Sequence, residues 1–92
     1  MSAGDRVERI RAALQQAFSP LELQVEDDSH RHAGHAGARD GRGHFNVRVV
    51  SDRFQGMAQI ARHRAVYAAL GELMQTDIHA LSMRALTPSE RG

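Results

Sequence analysis

A segment with helical periodicity lies between two segments with strand alternation, and this order restricts the fold more than any other feature of the sequence. The helical segment runs from about Ala58 to Met74, and the two strand segments are 45–50 and 79–86. Strands that are joined by a helical crossover of this length pair in parallel. Because such crossovers are right-handed, the helix is expected over one face of the sheet.

A second helix and a third strand precede this unit. Apolar residues recur at helical spacing between Asp5 and Phe18. The next segment, 21–26, alternates like a half-buried strand with Leu21, Leu23 and Val25 on its inner face, and it can pair antiparallel with 45–50. The sequence therefore predicts an α+β fold of order α-β-β-α-β, in which both helices cover one face of a three-stranded mixed sheet.

The segment 29–43 differs from the rest of the chain. It contains four glycines and three histidines but no large apolar side chain, so it has nothing to anchor to a core. A mobile loop between the first two strands is predicted. Pro88 stops the last strand and leaves a tail over 88–92. Since 92 residues support one hydrophobic core, a single domain over 1–92 is expected.

Composition argues against several classes of protein. Without cysteine, the chain can form neither a disulfide nor a thiolate metal site of its own, and its formal net charge of +1 is far from that of a dedicated nucleic-acid binder. No apolar run approaches the roughly 20 residues of a membrane helix, and the first residues lack the features of a secretory signal. We expect a cytoplasmic protein that does not contact membranes. No nucleophile, HExxH or P-loop motif is present, so it is expected not to be an enzyme.

The predicted buried face of the helix over 58–74 contains a histidine. His63 lies in the middle of the apolar stripe on a helical wheel, so a structural role in the core is expected for it, as for Tyr67. Arg62 and Arg64 lie on either side of the stripe, and two interpretations are open: ordinary solvated charges, or a docking surface for an acidic partner. The stripe comprises Ile60, Val66, Tyr67, Leu70, Leu73 and Met74.

Three runs of residues occur in an order that is typical of one known family. They are Phe54-Gln55-Gly56-Met57, the run RHRAVYAAL over 62–70, and Ile78-His79-Ala80-Leu81, supported by Glu26-Asp27-Asp28-Ser29 and the pair His44-Phe45. Together they resemble the BolA family over nearly the whole chain. The resemblance implies a class II KH-like fold, α-β-β-α-α-β, in which the turn from Gly56 to Ile60 forms a short extra helix.

The resemblance also implies a function. In the family, the loop between the first two strands supplies a cysteine or histidine as a metal ligand, and a second histidine lies just before the last strand. The second ligand maps onto His79, and the first maps onto His32, His44 or His35. A [2Fe–2S] cluster needs four ligands, and the resemblance identifies a monothiol glutaredoxin with glutathione as the source of the two thiolates.

The expected role is therefore iron–sulfur cluster assembly, trafficking or sensing in a shared complex, and the isolated chain is expected to bind no cluster tightly. Without the resemblance, the loop histidines are better interpreted as solvated side chains.

A DNA-binding role in transcription and the stress response is the alternative, because relatives in the family are associated with it. Arg62, Arg64 and Arg48 are the candidate phosphate contacts. The segment Gly34-His35-Ala36-Gly37 matches the GxxG pattern of KH domains, but that clamp joins two helices whereas this segment is predicted between two strands. The motif therefore adds nothing to the DNA hypothesis.

Overall fold

The computed structural model describes residues 3–28 and 43–91 and has the predicted α+β architecture. Its elements are α1 (Ala3–Phe18), β1 (Glu22–Asp27), β2 (Gly43–Val50), a 3-10 helix (Asp52–Phe54), α2 (Gln59–Leu70), α3 (Leu73–Thr76) and β3 (Ile78–Leu86). The predicted mobile loop lies outside the described residues except for Gly43, which begins β2. In the described ranges, no helix has the length and apolar character needed to cross a membrane.

The three strands form one mixed sheet in the order β1-β2-β3, as predicted. β1 pairs antiparallel with β2, which places Val25 opposite Val47, and β2 pairs parallel with β3, which places Val47 opposite Met83. Alternate residues of a strand point to opposite faces. Residues from all three α-helices pack with Phe45, Val47 and Val49 in one core. The other side, which we call the open face, carries Glu22, Gln24, Glu26, Asn46, Arg48, Ser82 and Arg84.

α1 packs on the sheet along one side of the helix. Ile10 and Leu14 are fully buried, and the ring of Phe18 contacts that of Phe54 with centroids 4.8 Å apart. The hydroxyl of Ser51 donates to the Phe18 carbonyl at 2.6 Å and accepts a hydrogen bond from the backbone of the 3-10 helix. One buried serine thereby joins the end of α1 to the segment that follows β2.

The continuous helix predicted over 58–74 is wrong, because the chain breaks at Gly71. This glycine has φ 52° and ψ −125°, a conformation that residues with a side chain rarely adopt. α3 follows as a separate turn. Its Leu73 and Met74 still pack against the core, so the apolar spacing continues through the break and gives no sign of it.

The extra helix is also placed differently from the expectation. The chain forms a 3-10 helix at Asp52–Phe54, before the expected turn, and the second short helix is α3, after α2. Gly56 itself lies in a turn with φ 75°, where a residue without a side chain is favoured.

The buried face of α2 is rotated relative to the prediction. Ile60 is 62% exposed and Tyr67 is 44% exposed, so their predicted places in the stripe are wrong. His63 is half-buried at the edge of the stripe rather than at its centre. The buried residues of α2 are Arg62, Val66 and Leu70.

The first strand begins one residue later than predicted. Leu21 precedes β1 and is 59% exposed, so its assignment to the inner face is wrong. Its N–H still donates to the Val50 carbonyl at 2.8 Å, which continues the antiparallel pairing. Leu23 and Val25 pack against the core as predicted.

Candidate metal site

Two histidines lie together where β2 and β3 begin. His44 is the second residue of β2 and His79 is the second residue of β3. Their ring centroids are 5.3 Å apart, and the ring planes are inclined by 54°. His79 is exposed and His44 is half-buried, so the pair lies at the surface of the sheet end.

A register shift in the parallel pairing of β2 and β3 accounts for the proximity of the two histidine rings. Gly43 is opposite Ile78, but the next residue, His44, is opposite Ala80. His79 is therefore an extra residue in β3, which is the definition of a β-bulge. Bulges change the direction of a side chain, and here the bulge lies where the ring of His79 approaches that of His44 on the neighbouring strand.

Backbone hydrogen bonds fix both sides of the pair. The Gly43 N–H donates to the Asp77 carbonyl at 2.9 Å, and the Asp28 N–H donates to the His44 carbonyl at 2.8 Å. The first bond joins Gly43, the residue before His44, to the residue that precedes β3, the strand of His79. The second joins His44 to the end of β1.

A buried aspartate connects the same strand entrance to α1. Asp77 is 5% exposed, and its carboxylate forms ion pairs with Arg9 at 2.9 Å and Arg6 at 3.9 Å. Two arginines in the first half of α1 therefore hold Asp77, which lies two positions before His79. The sequence gives no sign of this group, because Asp77 follows a helical segment, where an aspartate is common, and its arginine partners lie about 70 residues away.

The spacing of the two rings suits coordination of one metal ion. Metal–nitrogen distances to histidine are about 2 Å, which places the ring centres of two imidazoles on a tetrahedral ion about 5 Å apart. The observed 5.3 Å is close to that value. In residues 3–28 and 43–91, no group of three or more His, Cys, Asp or Glu side chains is placed to hold a metal. The described residues therefore bring two imidazole rings to a spacing that suits one metal ion, whose other ligands would have to come from elsewhere.

Of the histidines predicted as ligands, the structure brings His79 and His44 together. His32 and His35 lie outside the described residues, as does the GxxG segment.

Arg62 is not a surface charge. Its Nη1 and Nη2 donate to the carboxylate of Glu90 at 2.5 and 3.1 Å, Nε donates to the Met57 carbonyl at 2.9 Å, and Nη1 also reaches the Ala85 carbonyl at 3.0 Å. The side chain is buried against α2, β3 and the C-terminal turn. Both interpretations of Arg62 from the sequence, a solvated charge and a docking contact, are therefore wrong.

The same network shifts the titration of Glu90. The hydrogen bonds from the Arg62 side chain, followed by the one from the Thr87 backbone N–H, lower the pKa of Glu90 from 4.5 to about 2. A residue that the sequence places in a short tail is thus part of the folded structure.

The other two candidate phosphate contacts lie on different layers of the molecule. Arg64 is exposed on α2, whereas Arg48 lies on the open face of the sheet, where its Nη1 binds Glu22 at 2.6 Å. The three arginines proposed for DNA do not form one surface.

Comparisons with known proteins agree with this fold. The family model described as BolA-like protein matches residues 14–90. The chain is 46% identical over 95 residues to SufE-like protein 1, chloroplastic/mitochondrial, of Arabidopsis thaliana, which aligns with 98% of this chain. The chain spans only 26% of the length of that relative.

Two further proteins match over most of their own length. The chain is 43% identical over 83 residues to the DNA-binding transcriptional regulator BolA of Escherichia coli strain K12, covering 90% of this chain and 76% of the relative. The solved BolA domain of SufE1 from Arabidopsis thaliana superposes with a TM-score of 0.85 and 44% identity, covering 98% of this chain and 100% of that domain. The chain therefore belongs to the BolA-like protein family.

Proposed function

We propose that this protein shares a [2Fe–2S] cluster with a monothiol glutaredoxin and glutathione, and acts in cluster assembly, trafficking or sensing. The observation that supports the proposal is the His44–His79 pair, with ring centroids 5.3 Å apart where β2 and β3 begin and with His79 exposed. Two imidazoles can replace two thiolates on one iron of such a cluster. Because the sequence has no cysteine, the thiolates must come from a partner.

The pair favours His44 as the first ligand. The His44 carbonyl accepts a hydrogen bond from the Asp28 N–H, and His79 lies on the bulge of β3. The backbone at both histidines is therefore held by strand pairing. Each ring would bind as the neutral imidazole through one nitrogen. The cluster would supply redox chemistry, while the protein orients the two ligands. His32 and His35 are the competing candidates for the first position.

Reconstitution tests this proposal. The chain alone, given iron and sulfide under anaerobic conditions, should stay colourless after desalting, because it has no thiolate. With a monothiol glutaredoxin and glutathione present, it should elute in a coloured complex whose visible circular dichroism differs from that of the glutaredoxin alone. A stable cluster on the isolated chain, or a glutaredoxin spectrum that the chain does not change, contradicts the proposal.

A DNA-binding role remains the second candidate, and the observation that favours it is the likeness to the Escherichia coli regulator. Arg62 cannot contribute, since it is buried and paired with Glu90, but Arg64 is exposed. A gel-shift titration across ionic strength with the Arg64→Ala variant tests it. Sequence-specific binding near physiological salt that the variant loses supports DNA regulation, whereas weak, sequence-blind binding argues against it.

The absence of enzymatic activity and the cytoplasmic location stay predictions. The likeness to a chloroplastic and mitochondrial relative makes the location a question for direct imaging of the tagged protein.

A further inference from the structure

The open face of the sheet carries two arginines at directly paired positions. Arg48 of β2 is opposite Arg84 of β3 in the parallel register, so their Cα atoms are about 5 Å apart. Like charges at directly opposite positions destabilise a sheet. This arrangement therefore needs negative charge nearby.

The carboxylates on the same face are already engaged. Glu22 accepts hydrogen bonds from Arg48 Nη1 and from Arg91 Nη1, both at 2.6 Å, and these bonds hold the pKa of Glu22 below its ordinary value. Glu26 accepts a hydrogen bond from Asn46 Nδ2 at 3.1 Å. Both glutamates lie on β1, which is separated from β3 by β2.

Arg84 is exposed and, within residues 3–28 and 43–91, forms no ion pair with a carboxylate. Two residues earlier on the same strand face, Ser82 is also exposed and offers a hydroxyl. Arg48 uses Nη1 for Glu22 and has further N–H donors.

These side chains line a depression of about 410 Å³. The depression lies on the open face. Its lining has Arg48, Arg84, Ser82 and Asn46 on β2 and β3, and Gln24 and Glu26 on the β1 side. Sites for small ligands have volumes of roughly 300–1,000 Å³. The guanidinium fork matches the geometry of phosphate and carboxylate groups. A phosphate has enough oxygens to contact two guanidinium groups and a hydroxyl at once.

We propose that this depression binds the phosphate group of a small organic phosphate between Arg48 and Arg84, with Ser82 as a neutral donor. The bound anion offsets the repulsion between the two arginines and competes with Glu22 for Arg48. The site is separate from the His44–His79 pair and does not depend on the proposed cluster.

Titration followed by NMR tests the proposal on the intact chain. Inorganic phosphate and adenosine monophosphate are added at constant ionic strength while the arginine Nε–Hε signals are recorded. Both ligands should give saturable shifts at Arg48 and Arg84 but none at Arg53, an exposed arginine of the 3-10 helix. Adenosine monophosphate should bind at least as tightly as phosphate, because its organic part also enters the depression.

Three variants make the result decisive. Arg84→Gln should weaken binding at least tenfold, and the matched Arg53→Gln should leave it unchanged. Glu22→Gln should tighten binding several-fold, because it removes the carboxylate that competes for Arg48. Absence of saturable shifts, equal shifts at Arg53, or undiminished binding by a folded Arg84→Gln variant would overturn the proposal.

Discussion

Buried ionic side chains connect distant parts of the chain at the scale of single residues. Arg62 joins α2 to Glu90, 28 positions later, and Asp77 joins the entrance of β3 to Arg9 of α1. A buried charge needs a partner of opposite sign, because isolated charges are costly to remove from water. These pairs therefore fix where the C-terminal turn and the histidine site lie relative to the helices.

Glu90 makes the stability of the protein sensitive to acid. Its pKa is about 2 in the folded state against an ordinary 4.5, so the ion pair stabilises the fold fully above pH 4.5 and loses its effect as the pH falls towards 2. The Glu90→Gln variant should melt at a lower temperature than the wild type at neutral pH. That difference should shrink to nothing across the same acid range.

Thermal melts from pH 7 to pH 2 measure this effect, with Glu72→Gln as the control at an exposed glutamate. A Glu90→Gln difference that persists unchanged at pH 2 would show that the charge of Glu90 is not its cause.

Asp77 should matter to the stability of the fold, because it joins the start of β3 to α1. Asp77→Ala leaves Arg9 and Arg6 without their shared partner, and we expect a loss of about 2–4 kcal/mol in the free energy of unfolding. Chemical denaturation measures it, with exposed Glu8→Ala as a control that should change stability by less than about 0.5 kcal/mol. Equal stability of the Asp77→Ala variant and the wild type would rule out a structural role for the ion pairs.

At the scale of elements, Gly71 determines where α2 ends. An added Cβ would meet only the Ala68 carbonyl at 3.8 Å, an ordinary contact, so the cost of Gly71→Ala comes from its positive φ. We expect a loss of about 1–3 kcal/mol in the free energy of unfolding. Denaturant titration of this variant beside Glu72→Ala, the neighbouring exposed position, checks it. A neutral Gly71→Ala would mean that the chain tolerates a continuous helix here.

The elements themselves could be predicted from the sequence, but the orientation of α2 could not. Strand alternation and helical spacing are local, and they correctly gave the sheet order and both pairing directions. The buried side of α2 depends on Arg62, which a hydrophobicity pattern assigns to solvent. Its burial is possible only because Glu90 and two backbone carbonyls lie around it in the folded chain.

At the scale of the whole molecule, the fold brings together His44 and His79, which are 35 positions apart in the sequence. The resemblance identified both residues as candidates, but their proximity depends on the register shift after Gly43, which no local pattern reports. The open face carries a separate charge pattern, with Arg84 on the strand farthest from the two glutamates. The histidine site and the arginine pair are thus two features of one sheet.

The most direct test of the shared-cluster proposal compares histidine variants in the glutaredoxin complex. Visible circular dichroism and melting curves are recorded for His44→Ala, His79→Ala, His32→Ala and His35→Ala, with half-buried His63→Ala as the matched control on α2. We predict that His44→Ala and His79→Ala bleach the complex while the fold remains intact, and that the other three keep the wild-type spectrum. A cluster that survives both His44→Ala and His79→Ala, or one that only His63→Ala destroys on an intact fold, would contradict the proposal.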